Sequence, residues 1–254
     1  MKRAILPAAF LAAVMTVPST APAQLFGIGK KPSAESQIKL GKQAAADLRK
    51  KEKVLPASDS RVKTLRRVAQ RLLSAIDDPK EPWEYTFDMI DSKQVNAFAL
   101  PGGAVFFYTG LYDRLKTEDE LAGVLAHELT HVRREHWARR VGEQQKRELL
   151  LTGALIFGRA SSTVASAVSL GNSMVTMQYS RGDENDADIR GFDTMTKAGY
   201  NPQGMADVFR MLGSLGGSQP EFLSDHPSDK NRVKRIEDLA KKSGKSYPAL
   251  TPIR

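Results

Sequence analysis

Thr117-Glu118-Asp119-Glu120-Leu121-Ala122-Gly123-Val124-Leu125-Ala126-His127-Glu128-Leu129-Thr130-His131 is the stretch whose reading decides the fold. Thr117, with Glu120 three residues on, is a capping box, so a helix is expected to start here. Leu121, Val124, Leu125 and Leu129 recur along it, which predicts burial of the helix before it reaches His127. Positions i and i+4 differ by about 40° around a helix, so His127 and His131 point the same way and can chelate one ion. Glu128 lies about 100° round from His127, on the flank of that face. There it can serve as general base toward water whose pKa a zinc ion lowers from 15.7 toward about 7. The bland alternative is a structural helix with two surface histidines, and the apolar run before His127 argues against it.

A catalytic zinc usually takes three protein ligands. The chain has only four histidines, so the remaining two must be weighed. His136 is nine residues beyond His127, about 180° round if the helix continues, and is expected to be exposed or to stand behind a ligand without joining the site. The metzincin pattern requires Gly at 134 and His at 137, and those positions hold Arg134 and Trp137. The third ligand is therefore sought in Arg181-Gly182-Asp183-Glu184-Asn185-Asp186-Ala187-Asp188. Glu184 and Asp188 are four apart on one face, so Glu184 can bind the ion while Asp188 accepts the other ring N–H of a ligand histidine. On spacing alone Asp183 and Asp188 remain rivals to Glu184. An acidic helix start stabilised by its own dipole is the plain alternative. His226, in Ser224-Asp225-His226-Pro227, is left with two candidate roles. It can donate to the oxyanion of a tetrahedral intermediate, or act as a fourth ligand that closes the site in a resting state.

Length and composition frame this site. With 254 residues, 41% hydrophobic, 26% charged and no cysteine, the chain can build a catalytic core without disulfides. Lys2-Arg3, the apolar run Ala4 to Val17 and Ala21-Pro22-Ala23 read as a signal peptide over residues 1–23. The run is shorter than the roughly 20 residues of a spanning helix. The expected mature chain is a single domain over 24–254 in a bacterial periplasm, where the lack of thiols suits an oxidising compartment. The net charge is +9, and it falls by two, to about +7, without Lys2 and Arg3. No aromatic-interleaved basic motif points to nucleic acid. A basic surface docking on anionic lipid or cell wall is a weaker option.

The rest of the chain predicts an α+β fold, mainly helical, with a small antiparallel sheet. Helices are expected over Ala34 to Lys53 and around Val62 to Leu73, then strands over Trp83–Ile90, Val95–Leu100 and Ala104–Tyr108. Pro101-Gly102-Gly103 predicts a hairpin between the last two. Residues 149–158 are apolar and read as a buried or hinge-like helical segment, with membrane contact peripheral at most. Further helices are expected over Ser173–Lys197, ended by Gly199, after Asn201-Pro202, and around Val233, Ile236 and Leu239.

Taken together, Asn96-Ala-Phe-Ala-Leu-Pro-Gly-Gly, His127-Glu-Leu-Thr-His131, Glu184-Asn-Asp-Ala-Asp188 and Ser224-Asp-His226-Pro with Arg232 resemble the HtpX/BepA/LoiP group of gluzincin zinc peptidases, family M48. The match spans about residues 35–242. It implies a zincin-like domain, one Zn²⁺ per chain held by His127, His131 and Glu184, and Glu128 as general base. It also implies that Asn96, Ala97, Phe98 and Ala99 lie on an edge strand bordering the cleft, where an extended substrate adds as a further strand. His226 matches a histidine near the metal that can act as a self-inhibitory ligand, and Arg232 a basic residue of the active-site region. Thr130 stands where the commoner motif has Gly. No tetratricopeptide module and no four-span membrane topology is visible. The expected function is a zinc endopeptidase of the envelope acting on unfolded or misassembled proteins, with the outer-membrane assembly machinery as a further partner. The alternative is a zinc-stabilised chaperone or assembly factor with a latent, self-inhibited protease site.

Overall fold

The computed structural model describes residues 30–76, 82–157, 178–215, 221–226 and 231–253, without the side chains of 148–157 and Asp225. The expected signal peptide lies outside the described residues. So do residues 173–177 of the span expected as a helix over Ser173–Lys197; the helix begins at Arg181.

Helix α1 (Ala34–Lys51) starts where the Ser33 hydroxyl accepts the Ser36 N–H, and it ends in Arg49, Lys50 and Lys51, which suit the negative end of its dipole. Helix α2 (Ser60–Ser74) buries Val62, Leu65, Val68, Ala69 and Leu72 on one stripe. Three strands follow: β1 (Thr86–Ile90), β2 (Ala97–Ala99) and β3 (Ala104–Tyr108). A short turn of helix, α3 (Thr109–Tyr112), leads into α4 (Glu118–Arg133).

The β2–β3 hairpin forms as the Pro-Gly-Gly turn predicts, with Phe98 opposite Phe106. The sheet is nevertheless mixed, which corrects the antiparallel expectation: the order is β1-β3-β2, and β1 pairs with β3 in parallel. The hairpin returns β3 between the two earlier strands. The segment from β1 to β2 therefore passes over the end of β3, and it does so against Gly110. A Cβ there would sit 2.3 Å from the carbonyl oxygens of Lys93 and Gln94. The Gly110 N–H donates to Ser92 O at 2.8 Å and fixes the crossing.

Alternation along the strands sorts side chains to two layers. Val105 and Phe107 of β3, with Ala97 and Ala99 of β2, join the core formed with α2 and α4. Phe98, Ala104, Phe106 and Tyr108 face the other way and pack with Ala45, Trp137, Ala138 and Val141.

Helix α4 is buried on every face from Glu118 to Val132. Each fully buried leucine contributes about 1.5–3 kcal/mol, and Leu121, Leu125 and Leu129 all qualify. The capping box is present: Thr117 Oγ1 accepts the Glu120 N–H at 3.2 Å, and Glu120 Oε2 accepts the Thr117 N–H at 3.1 Å. Asp119 accepts the Asn201 and Thr251 N–H groups, both at 2.7 Å, and so ties the start of α4 to two later segments.

Helix α4 does not run on past the motif. It stops at Arg133, Glu135 takes a left-handed φ of 51°, and α5 (His136–Phe157) sets off afresh. A left-handed non-glycine residue costs roughly 1–2 kcal/mol. The Glu135 carboxylate is held by Gln37 Nε2 at 2.9 Å and Lys31 Nζ at 2.7 Å. Helices α6 (Arg181–Lys197), α7 (Gln203–Ser214), α8 (Glu221–Asp225) and α9 (Arg232–Ser243) complete the described elements. Among the described residues no helix is long and apolar enough to cross a membrane.

Candidate metal centre

Two close-packed helices make the site. Gly191 of α6 faces the backbone of α4, and a Cβ there would lie 3.2 Å from the His127 nitrogen. With no side chain in the way, α6 brings Glu184 and Asp188 level with His127 and His131. The Ser180 hydroxyl accepts the Asp183 N–H at 3.1 Å, and the Asp183 carboxylate accepts the Ser180 N–H at 3.1 Å. Asp183 is thus spent as a capping-box residue and does not enter the cluster, which leaves Glu184 as the inward carboxylate.

His127, His131, Glu184 and His226 offer ligand atoms that all lie within 4.8 Å of one another. His127 Nε2 is 3.0 Å from His131 Nε2 and 3.2 Å from His226 Nδ1. Glu184 Oε1 is 3.0 Å from His226 Nδ1 and 3.4 Å from His131 Nε2. Tetrahedral bonds of about 2.0–2.1 Å put ligand atoms roughly 3.3 Å apart, so these separations suit a small divalent ion. Charge agrees. Glu128, Glu184 and Asp188 are buried carboxylates, and Arg232 is the one guanidinium buried among them. Three carboxylates thus meet one fully buried guanidinium, with Arg235 reaching Asp188 from the edge, and uncompensated buried charge is costly. A cation among the donors would add to the compensation.

The electrostatics follow from this packing. Burial opposes the charge on Glu184, but the His226 and His127 rings outweigh it and hold the carboxyl well below its usual pKa. Burial pushes the His131 pKa well down, so this ring is neutral with a lone pair to give. Burial works against a charged His127 as well, yet Glu184 and Asp188 prevail and raise it.

Outer contacts orient the donors. His127 Nδ1 lies 3.1 Å from Asp188 Oδ1. Asp188 in turn receives Arg232 Nε at 2.9 Å and Nη2 at 2.6 Å, a two-pronged pair, and Arg235 Nη1 at 3.0 Å. Arg232 Nη1 is 3.0 Å from Glu184 Oε2, and its Cζ rests 3.9 Å from the centre of the Phe209 ring. Arg232 therefore braces the carboxylates around the donors. Glu128 is buried beside the cluster, with Oε1 3.3 Å from His226 Nε2.

His136 is buried, not exposed, and stands behind His131. Because the helix breaks at Glu135, His136 is fully buried and not turned away, with Nδ1 2.8 Å from His131 Nδ1. Burial lowers its pKa from 6.5 to about 4. Tyr179 was not singled out in the sequence, yet its ring stacks on His131 at 3.8 Å. Its one sequence signal is a position just before the Ser180 cap. Asn96 to Ala99 sit where an edge strand is expected. Asn96 O accepts the Tyr108 N–H and Leu100 N donates to Ala104 O, so alternation turns the main-chain groups of Ala97 and Ala99 to the outer edge of the sheet. All four residues are buried, and Asn96 Oδ1 accepts the Ala97 N–H at 2.8 Å.

The family description "Peptidase family M48" matches residues 59–240, which include every donor named above. The chain belongs to peptidase family M48. Among its M48 relatives, Metalloprotease LoiP of Escherichia coli K12 is 30% identical over 217 residues, covering 83% of each chain. Metalloprotease YcaL of the same organism is 31% identical over 206 residues, covering 78% of each. The beta-barrel assembly-enhancing protease of Yersinia pestis is 29% identical over 184 residues, or 68% of this chain and 37% of that one. The chain spans little more than a third of the length of such beta-barrel assembly-enhancing relatives.

Proposed function

We propose that this M48 chain is a zinc endopeptidase of the bacterial envelope that cleaves unfolded or misassembled proteins. One observation carries the reading: two histidines, a glutamate from a second helix and a flanking second glutamate meet at one buried point beside an edge strand. Nitrogen donors with one carboxylate suit zinc. When bound, the ion supplies Lewis-acid polarisation and a lowered pKa for water. The chain's own residues supply the rest. His127, His131 and Glu184 hold the ion, and Glu128 takes a proton from the attacking water and passes one to the leaving amine. Ala97 and Ala99 offer main-chain groups to an extended substrate. Periplasmic location rests on the signal-like residues 1–23, and the link to outer-membrane assembly on the names of the beta-barrel assembly-enhancing relatives.

The full chain with zinc is expected to cleave casein, and Glu128→Gln to lower the rate by about 10²–10⁴-fold while keeping the metal. An undiminished rate in that variant removes the protease reading.

The position of His226 favours a second, compatible reading, a latent resting state. Its Nδ1 stands among the donors and its Nε2 faces the base, so a substrate needs this ring displaced. His226→Ala should then cleave faster. A slower variant with full metal makes His226 an oxyanion donor, and unchanged cleavage with unchanged metal content dismisses both roles.

A further inference from the structure

His131 gives Nε2 to the donor cluster, so its proton sits on Nδ1, and Nδ1 needs an acceptor to fix the ring. For His127 the corresponding atom meets a carboxylate directly, at Asp188. For His131 it meets another imidazole: Nδ1 of His136, at 2.8 Å. If His136 accepts on Nδ1, its own proton must be on Nε2. That atom lies 3.3 Å from Asp186 Oδ2 and 3.9 Å from Asp183 Oδ1, so an acceptor waits there too. The sense of both bonds is therefore determined, His131 to His136 to Asp186, with each ring in one tautomer. Asp186 is anchored in turn by Arg134 Nε at 2.9 Å and Arg190 Nε at 2.8 Å.

We propose that His136 is a positioning residue for the metal site, acting as an imidazole relay that orients the His131 ring and ties it to the Asp186 ion cluster. The helix break is what makes this geometry reachable. On an unbroken helix His136 would face away, and Glu135, held by Gln37 and Lys31, turns it back toward His131. Tyr179, stacked on the ring face, leaves in-plane rotation of His131 for the relay to fix. The inference rests on the metal-site reading above.

The test is metal affinity, read by chelator competition for Zn²⁺ on the full chain, with the visible absorption of the Co²⁺ form as a geometric readout. His136→Leu should weaken binding by about 10–100-fold, the usual cost of losing an outer hydrogen-bond partner of a ligand, and should alter the cobalt band. Asparagine carries its side-chain oxygen near the place of a histidine Nδ1, and glutamine near the place of Nε2. His136→Asn should therefore bind at least tenfold more tightly than His136→Gln. That comparison holds even if the leucine variant does not fold. Equal affinities in the asparagine and glutamine variants, with the parent's cobalt spectrum in both, overturn the relay. A parent chain that binds no metal overturns the metal-site reading and the relay with it.

Discussion

Arg232 is the residue on which the buried charge depends. It faces Asp188 with two nitrogens and Glu184 with the third. Arg232→Met keeps most of the volume but takes the guanidinium from Glu184 and leaves Asp188 with Arg235 as its one arginine partner. Removing one partner of a buried pair costs about 3–5 kcal/mol, and urea unfolding of the metal-free variant should show a loss of that order; a loss below about 1 kcal/mol would mean that Arg235 alone suffices. His136 adds a pH signature. Its pKa falls from 6.5 to about 4 on burial. The unfolded chain then takes the proton first, so stability is full above 6.5 and declines as the pH drops through that window. Urea unfolding of the metal-free chain from about pH 7 down to about pH 5 should show this decline, with a shallower slope in His136→Asn. The difference between the two chains isolates His136 from His127, whose raised pKa works in the opposite sense.

At the scale of elements, the approach of α6 to α4 decides whether Glu184 reaches the histidines. Gly191→Ala puts a Cβ 3.0 Å from Met205 Cε and 3.2 Å from the His127 nitrogen. Overpacking of this kind costs about 1–3 kcal/mol. Thermal melts should record that loss, with weaker metal binding because the two ligand-bearing helices are pushed apart. A melt and an affinity equal to the parent's would show that α7 yields instead. This scale also separates what could be read in the chain from what could not. The capping box at Thr117 and the hairpin at Pro101-Gly102-Gly103 are local patterns, and both are present. The α4–α5 break leaves no such mark. Arg134 and Glu135 are ordinary helix formers, and the turn is held by Gln37 and Lys31, about a hundred residues earlier. Periodicity alone therefore leaves His136 open between an exposed place and one behind a ligand. The parallel pairing of β1 with β3 was missed for the same reason, since strand order is set by the crossing at Gly110 and not by any one strand's sequence. His127 and His131 were legible as a pair because helical spacing is local. On spacing alone Glu184 has two rivals, and only the packing shows Asp183 held in the helix cap and Asp188 on Arg232.

For the whole molecule, the donors come from α4, α6 and the end of α8, so a bound ion ties distant parts of the chain together. Chelation should lower the melting temperature and added Zn²⁺ should restore it. At a hundredfold excess over the dissociation constant the linkage amounts to about 2.7 kcal/mol. A melting temperature indifferent to metal would show that the cluster forms without an ion. The sheet carries a different consequence. Its central strand, β3, is the last of the three in chain order. While the chain is being made, or threaded to where it folds, β1 and β2 are both present with no partner until residue 108 has emerged, and unpaired apolar strands are prone to stick to one another and to other chains. The order of synthesis thus places the moment of greatest vulnerability just ahead of helix α4, and commits the nascent chain to holding two open edges apart until a third strand slides between them.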